Sequence, residues 1–364
     1  MYWVIAIAAL GFLIVVHEAG HFFVARWCGM RVERFSIGFG PGILKRTAKS
    51  GTVFQLAPIP FGGYVEIRGM NLVEDIDPED KEAYPNRPAW QRFATIFAGP
   101  GTNYLSAVFL AFGLYTCHGV DSAEQYYGVG AINKGYDAEH KLHEGDRILA
   151  IDGKPIYFAV AEITATTKPE KLRDRVNASG ADQVTLTIRR DGKTFDVPIT
   201  LKPGFEKDGT PILDDQKHQI RLLGIVPEIQ VEQVDVGVIN AVGASLRYPI
   251  DQTVAIGRGL YAIVIGEEKA DVGGAPRIVE EFKKAFQLGW STGLKLLMML
   301  SVYLGLMNLF PLPALDGGRL VFLGYELITR RRANPKIEST VHMAGIMVLI
   351  VVMVLVTLHD FGLF

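Results

Sequence analysis

His17, Glu18 and His21 stand within five residues of one another in the run ALGFLIVVHEAGHFFVARW, residues 9–27. The pattern is H-E-x-x-H. On a helix, positions i and i+4 share a face, so both imidazoles can bind one ion. As a bare string the match is weak, since many helices carry two histidines and a glutamate. Its setting gives it weight. The surrounding residues are apolar enough to lie in a bilayer, where a charged group costs about 2.5–3.5 kcal/mol even on lenient insertion scales, so such residues usually serve a function. The plain alternative is a helix face that pairs its polar groups with other spans.

Two histidines leave a zinc site incomplete, because catalytic sites usually combine three protein ligands with a water. The run MNLFPLPALDGGRL, residues 307–320, offers Asp316 as the third. Pro311 and Pro313 exclude a regular helix there, and Asp316-Gly317-Gly318 is expected to form a turn that aims a carboxylate at the His pair. The lesser alternative for Asp316 is the N-cap of a following helix. With two His and one Asp on the metal, Glu18 remains uncoordinated. Its natural role is general base towards a water and then proton donor to a leaving amine, as in peptide-bond hydrolysis. Asn308, two turns before Asp316 in an apolar helix, suits either a substrate hydrogen bond or a helix–helix contact. His118, His140, His143, His218 and His359 are expected outside the membrane. His342 opens an apolar block alone and reads as a surface or interfacial residue.

The elements that must position these groups follow from hydropathy. Apolar residues make up 49% of the 364 positions. They concentrate in four blocks of membrane-spanning length, Trp3–Ala25, Phe93–Cys117, Leu288–Phe310 and Val341–Leu358. The fold class is therefore a polytopic α-helical membrane protein of about four transmembrane helices with one inserted β/α domain. Residues 1–25 form the first helix, 26–92 a β region and polar connection on the cytoplasmic side, and 93–118 the second helix. Residues 119–228 form a soluble module, 229–287 an interfacial helix and linker, and 288–318 the third helix with the Asp316 turn. Residues 319–340 form a cytoplasmic connection and 341–359 the fourth helix. Within the module, Asp191-Gly192 between alternating strands signals a hairpin, and KPEKLRDRVNASG, residues 168–180, has helical character.

Charge sets sidedness and partners. Arg26, Arg31, Arg34, Lys45, Arg46 and Lys49 follow the first span, and Arg330, Arg331, Arg332 and Lys336 lie between the third and fourth. The positive-inside rule puts both segments in the cytoplasm, with both termini and the inserted module outside. A net charge of −2 without a basic patch argues against nucleic acid. No charged n-region precedes the first block and no small-residue cleavage site ends it, so a span is expected there rather than a signal peptide. Cys28 and Cys117 fall at opposite membrane faces and are expected to be free thiols. Residues 31–71 alternate apolar and β-favouring types broken by Gly and Pro. They suit re-entrant hairpins packed on the helices, or a greasy sheet outside the bilayer.

Taken together, HEAGH, IPFGGYV (residues 59–65), AGPGTN (98–103) and NLFPLPALDGG (308–318) occur in an order that resembles the site-2 protease family of intramembrane zinc metalloproteases. The bacterial regulator-of-sigma-E protease type is the nearest form. The resemblance spans essentially the whole chain. It implies Zn2+ held by His17, His21 and Asp316, a catalytic Glu18 and a substrate contact at Asn308. It also implies a re-entrant β-hairpin over Phe35–Gly69 whose edge, at Phe61, Gly62, Gly63 and Tyr64, takes an unwound substrate as an added strand. HEGDRILAIDGKPI, residues 143–156, resembles a PDZ domain, which implies a peptide or protein ligand for residues 119–228. The implied substrates are single-span membrane proteins such as anti-sigma factors or signal-peptide remnants, and the implied location is the bacterial inner membrane. The soluble stretch has room for one PDZ domain where this type often has two in tandem, and VGGAPRI, residues 272–278, spaces its Gly and Pro unusually. A proteolytically inactive PDZ-bearing membrane scaffold is the alternative. It would be expected to lack ligands that this chain retains.

Overall fold

Twenty-six residues without an internal proline, Tyr2–Trp27, form one helix, α1. Its buried stripe is Ala6, Ala9, Leu13, His17 and Gly20. That spacing of three and four is one face of an α-helix, so both functional and small residues point at the bundle. In the computed structural model the described residues are 2–70, 76–159, 172–178, 180–205, 210–214, 218–267 and 273–360. They fall into two units, Met1–His118 with Val236–Phe364, and Gly119–Asp235.

After α1 the first unit continues with strands β1 (Val32–Phe39), β2 (Leu44–Thr47), β3 (Val53–Leu56) and β4 (Ile59–Ile67). They form a sheet of order β2-β3-β1-β4, in which β1 pairs antiparallel with β4 but parallel with β3. The region expected as one re-entrant hairpin is thus a mixed four-stranded sheet with β4 at its edge. Helix α2 (Ala89–His118) follows. Chain order then runs through the second unit: β5 (Val120–Ile132), α3 (Ala138–Lys141), β6 (Arg147–Ile151), β7 (Lys154–Pro155), β8 (Tyr157–Ala159), α4 (Leu172–Asn177), β9 (Gln183–Arg190), β10 (Lys193–Thr200), β11 (Lys202–Pro203), β12 (Arg221–Leu222) and β13 (Ile225–Val234). The first unit resumes with α5 (Gly237–Val264), α6 (Ala275–Leu288), α7 (Trp290–Leu309), α8 (Asp316–Thr329) and α9 (Pro335–Asp360).

Among the described residues three helices are long and apolar enough to cross a membrane: α1, α7 and residues 335–358 of α9. The fourth expected block does form a helix, α2, but Arg92, Gly99, Thr102 and Asn103 dilute its apolarity, and all four face protein. Helix α9 exposes an apolar row, Met343 to Leu355, as a lipid-facing helix does. Two further corrections concern the segments around α7. The expected turn at Asp316 and the first part of the expected connection are instead helix α8. Residues 229–287 hold the end of β13 and two helices rather than one helix and a linker. Helix α5 runs beside α2 from a Tyr115–Tyr248 ring contact to a Tyr104–Thr253 hydrogen bond of 2.9 Å. Tyr104 and Tyr115, eleven positions apart, are separated by about 16 Å along the helix, so α5 descends to the level of Asn103 rather than standing apart. Helix α6 buries Val279, Phe282 and Phe286 against Ala6, Ala9 and Leu13 of α1 and Leu297 of α7.

The second unit is an antiparallel sheet of order β10-β9-β6-β5-β13, with β7 on β6 and β8 on β5. Val184, Leu186 and Ile188 alternate into its core with Val129, Ile148 and Ile199. Asp191 (φ 49°) and Gly192 (φ 76°) make the β9–β10 turn, the left-handed pair that a two-residue hairpin requires. Pairing of β13 with β5 persists to Val234, so this unit ends at Asp235 rather than at residue 228. Of the segment with helical character, α4 is described, and residues 168–171 and 179 lie outside the described residues.

Candidate metal centre

The bundle brings His17, His21 and Asp316 together across 295 residues of sequence. Asp316 Oδ2 lies 3.1 Å from His17 Nε2 and 3.3 Å from His21 Nε2, and the two Nε2 atoms are 3.3 Å apart. A tetrahedral zinc with bonds of about 2.0–2.1 Å has ligand–ligand edges of about 3.3–3.4 Å. The three atoms therefore form one face of such a tetrahedron. Both imidazoles are buried.

Tautomers sharpen the fit. His21 Nδ1 donates to the Thr95 carbonyl at 2.8 Å, which leaves its Nε2 with a lone pair facing the others. His17 Nδ1 meets the Asn103 side-chain amide at 3.1 Å, and Asn103 is fully buried with its Oδ1 otherwise unpartnered. Turning that oxygen towards His17 lets it accept the Nδ1–H and frees the second Nε2 lone pair. Asp316 Oδ2 is itself buried with no hydrogen-bond donor. Three lone pairs converging on one point repel one another unless a cation lies between them, so the donor set fits zinc.

Small residues permit this approach. A Cβ on Gly99 of α2 would collide with His21 Nε2 and lie 2.9 Å from His17 Cε1. A Cβ on Gly20 of α1 would strike the Ala98 carbonyl oxygen. Thr102 Oγ1 also donates to Val16 O at 2.9 Å. AGPGTN is thus the surface on which the histidine face of α1 rests.

Asp316 is delivered by the break after α7. Phe310 is extended, Leu312 N–H donates to Phe310 O at 2.7 Å, and α8 begins at Asp316 with Leu315 as its cap residue. Gly317 lies against Leu309 and Phe310, so the first turn of α8 seats directly on the end of α7. Ala314 adopts φ 77°, a left-handed conformation costly for alanine, and its N–H donates to His342 Nδ1 at 3.2 Å. His342 is buried on α9 and is not the surface or interfacial residue that its position suggests. Gly345, three residues on, lets Pro313 approach α9 and is the one sequence signal that could have shown it. Arg92 has no such signal. Nearly buried, it pairs with Glu326 of α8 at 2.5 Å and so ties α8 to α2.

Glu18 lies beside the His–Asp cluster in a cavity of about 240 Å³ lined also by Tyr64, Val65, Asn308 and Leu315. Asn308 Nδ2 donates to Leu304 O at 3.0 Å, within its own helix, so neither suggested partner occupies that end of the amide. In β4, Tyr64 Oη accepts from Arg34 and Gln55, each at 3.2 Å. Gly62 has φ 142° and any Cβ there would enter the Phe39 ring. A Cβ at Gly63 would lie 3.3 Å from Glu18 Cγ, so this glycine sets how closely β4 rides over α1. Phe61 lies in β4, with its side chain outside the described residues.

Comparison with known proteins agrees with this geometry. A protein of Mesorhizobium japonicum, provisionally named a zinc metalloprotease, is 30% identical over 366 residues, covering 96% of this chain and 95% of that one. Similarly named proteins of Fusobacterium nucleatum (30%, 99% of this chain and 98% of that one) and Rickettsia conorii (29%, 97% and 96%) match along their length. The model of Peptidase family M50 matches residues 5–361. A zinc-shaped cluster on apolar helices and a family match over nearly every residue lead to one conclusion: the chain belongs to Peptidase family M50, the site-2 proteases, and is a zinc-dependent metalloprotease of the membrane.

Proposed function

We propose that this protease hydrolyses peptide bonds within or near the transmembrane segments of single-span membrane proteins. His17, His21 and Asp316 hold the zinc, and Glu18 is the general base. Bound there, zinc polarises the scissile carbonyl and acidifies the attacking water. Glu18 takes the proton from that water and returns it to the leaving amine. Its side chain lines the same cavity as His17, His21, Asn308 and Asp316, which keeps it beside the reacting atoms. Asn308, one of whose amide hydrogens is spent on Leu304, presents its oxygen and remaining N–H to the cavity for the substrate backbone.

A helical substrate offers no free backbone groups, so it must unwind before cleavage. The outer edge of β4 supports that step, since an extended segment added there would pair with Phe61, Gly62, Gly63 and Tyr64 over Glu18. Residues 119–235 act as a single PDZ-like domain that binds a peptide or protein terminus. Placement in a bacterial inner membrane, with termini and this domain outside, and substrates of the anti-sigma-factor or signal-peptide class, complete the reading as a regulator-of-sigma-E type protease.

The convergence of three lone-pair donors beside Glu18, at the depth of apolar helices, carries this proposal. Glu18→Gln in proteoliposomes is expected to abolish cleavage of a single-span model substrate, by a factor of about 10³ or more, with zinc stoichiometry unchanged. Wild-type turnover by that variant would overturn the assignment of the base.

A further inference from the structure

A second cavity, of about 520 Å³, opens at the end of α1 away from its N-terminus, distinct from the zinc cluster. Arg26, Arg31 and Lys49 line it, together with Ser50, Thr52 and Glu82. Among the described residues none of the three cations pairs with a carboxylate. Arg26 merely lies over the Phe22 ring, 5.8 Å from its centroid. Glu82 is the single acidic residue on the wall, so the cavity carries a net charge of about +2. The cations are also held apart from one another by built structure. The Arg31 N–H is fixed on Glu82 O at 3.0 Å, and Thr52 Oγ1 donates to Val32 O at 2.8 Å, which pins the β2–β3 turn that bears Lys49 and Ser50.

The depth of this cavity indicates its ligand. Arg26 is in the last turn of a helix long and apolar enough to cross the membrane. Next to it, Trp27 is 87% exposed, and Trp90, at the start of α2, is 60% exposed. The Arg87 guanidinium, on Gly29 O, brings the two helix ends to one level. Exposed tryptophans at helix ends mark the headgroup layer. Unpaired cations facing a polar cavity in that layer would meet lipid phosphates before any other anion.

We propose that Arg26, Arg31 and Lys49 form a binding site for the phosphate-bearing headgroup of an anionic phospholipid, with the Ser50 hydroxyl as a further donor. The phosphate oxygens accept from the two guanidinium groups and the ammonium, and Trp27 flanks the acyl chains.

The test uses the full chain in mixed micelles, with phosphatidylglycerol as the probe and native mass spectrometry counting retained lipid. Arg26→Gln/Arg31→Gln/Lys49→Gln is compared with a charge-matched control, Arg330→Gln/Arg331→Gln/Arg332→Gln. Removal of each cation from the site is expected to cost about fivefold in lipid affinity, hence roughly 100-fold for the triple variant, with the control near wild type. The single variant Lys49→Gln, on an exposed turn, should show its fivefold share even if the triple variant folds poorly. Equal retention by wild type and site variants would overturn the proposal, and so would an equal loss in the control, which would show only diffuse attraction. Displacement of the lipid by millimolar inorganic phosphate would overturn the lipid assignment in favour of a soluble anion.

Discussion

Gly99→Ala probes the most exacting contact in the metal centre. The added methyl would fall on His21 Nε2 and lie 2.9 Å from His17 Cε1. Ordinary carbon–nitrogen contact requires about 3.4–4 Å, so at least one ring, or helix α2 itself, must move by about 1 Å. Metal sites tolerate ligand displacements of about 0.2 Å. The expected result is a zinc affinity at least 100-fold weaker, which is about 2.7 kcal/mol. Overpacking adds a cost of about 1–3 kcal/mol, offset by the roughly 1 kcal/mol that alanine gains over glycine in a helix. Gly101→Ala is the control. Its nearest neighbour would be the Phe97 ring, at 3.5 Å, so it takes the helix-propensity gain without the clash. Competition with a fluorescent zinc chelator reads the metal affinity, and thermal unfolding in detergent reads the packing. Should Gly99→Ala bind zinc as tightly as Gly101→Ala, the imidazoles do not hold the metal where the three lone pairs converge.

Asn103→Ala is expected to weaken zinc binding by about 10–100-fold, whereas Asn103→Asp, which keeps an acceptor for His17 Nδ1–H, should retain most of it; the same chelator competition distinguishes them. Arg92→Met leaves the Glu326 carboxylate without its partner and should destabilise the bundle by about 3–5 kcal/mol, while Arg92→Met/Glu326→Gln should be milder, as read by chemical denaturation. In the second unit, burial alone would raise the Asp146 carboxyl, but the Arg190 guanidinium and the His143 N–H outweigh it and hold it below the ordinary range. That stabilisation is full above the unfolded carboxyl's pKa, near 4, and is lost as pH falls through the lower folded value. Asp146→Asn should therefore reduce amide protection of β6 and β9 at pH 7 and change it little at pH 2.

That His17, His21 and Asp316 converge was legible because chemistry restricts the residue types a metal site can use. Few residue types bind zinc, and two histidines four apart in a greasy helix rarely serve another purpose. The hairpin at Asp191-Gly192 was legible for the same reason, since its backbone demands a particular residue pair. Elements defined by their neighbours were not. Helix α8 is short, follows Pro-Leu-Pro and carries both Arg319 and Glu326, so alone it reads as a connection. Its place in the bundle is tied through Glu326 to Arg92 of α2, more than 200 residues away. The parallel β1–β3 pairing is hidden because short intervening turns suggest only antiparallel neighbours. The burial of His342 depends on the left-handed Ala314, which no local signal announces.

Helix α2 explains how a site of this polarity persists among apolar helices. It supplies the Thr95 carbonyl to His21, the Asn103 amide to His17 and the Thr102 hydroxyl to α1. On its other side Ser301 of α7 donates to Asn103 O at 2.9 Å, and Ser106 meets Ser301 at 2.7 Å. Side-chain hydrogen bonds between membrane helices contribute about 0.6 kcal/mol each on average. Five of them amount to about 3 kcal/mol, small against the packing of the whole bundle, and three of the five fall on α1, the helix that bears both histidines. Because α1, α5, α7 and α8 cover its polar face while Phe97, Leu105 and Phe109 are exposed on the other side, α2 can carry these groups without exposing them to hydrocarbon. Its modest apolarity, which keeps it from resembling the other spans, is therefore the property that lets it orient the metal ligands.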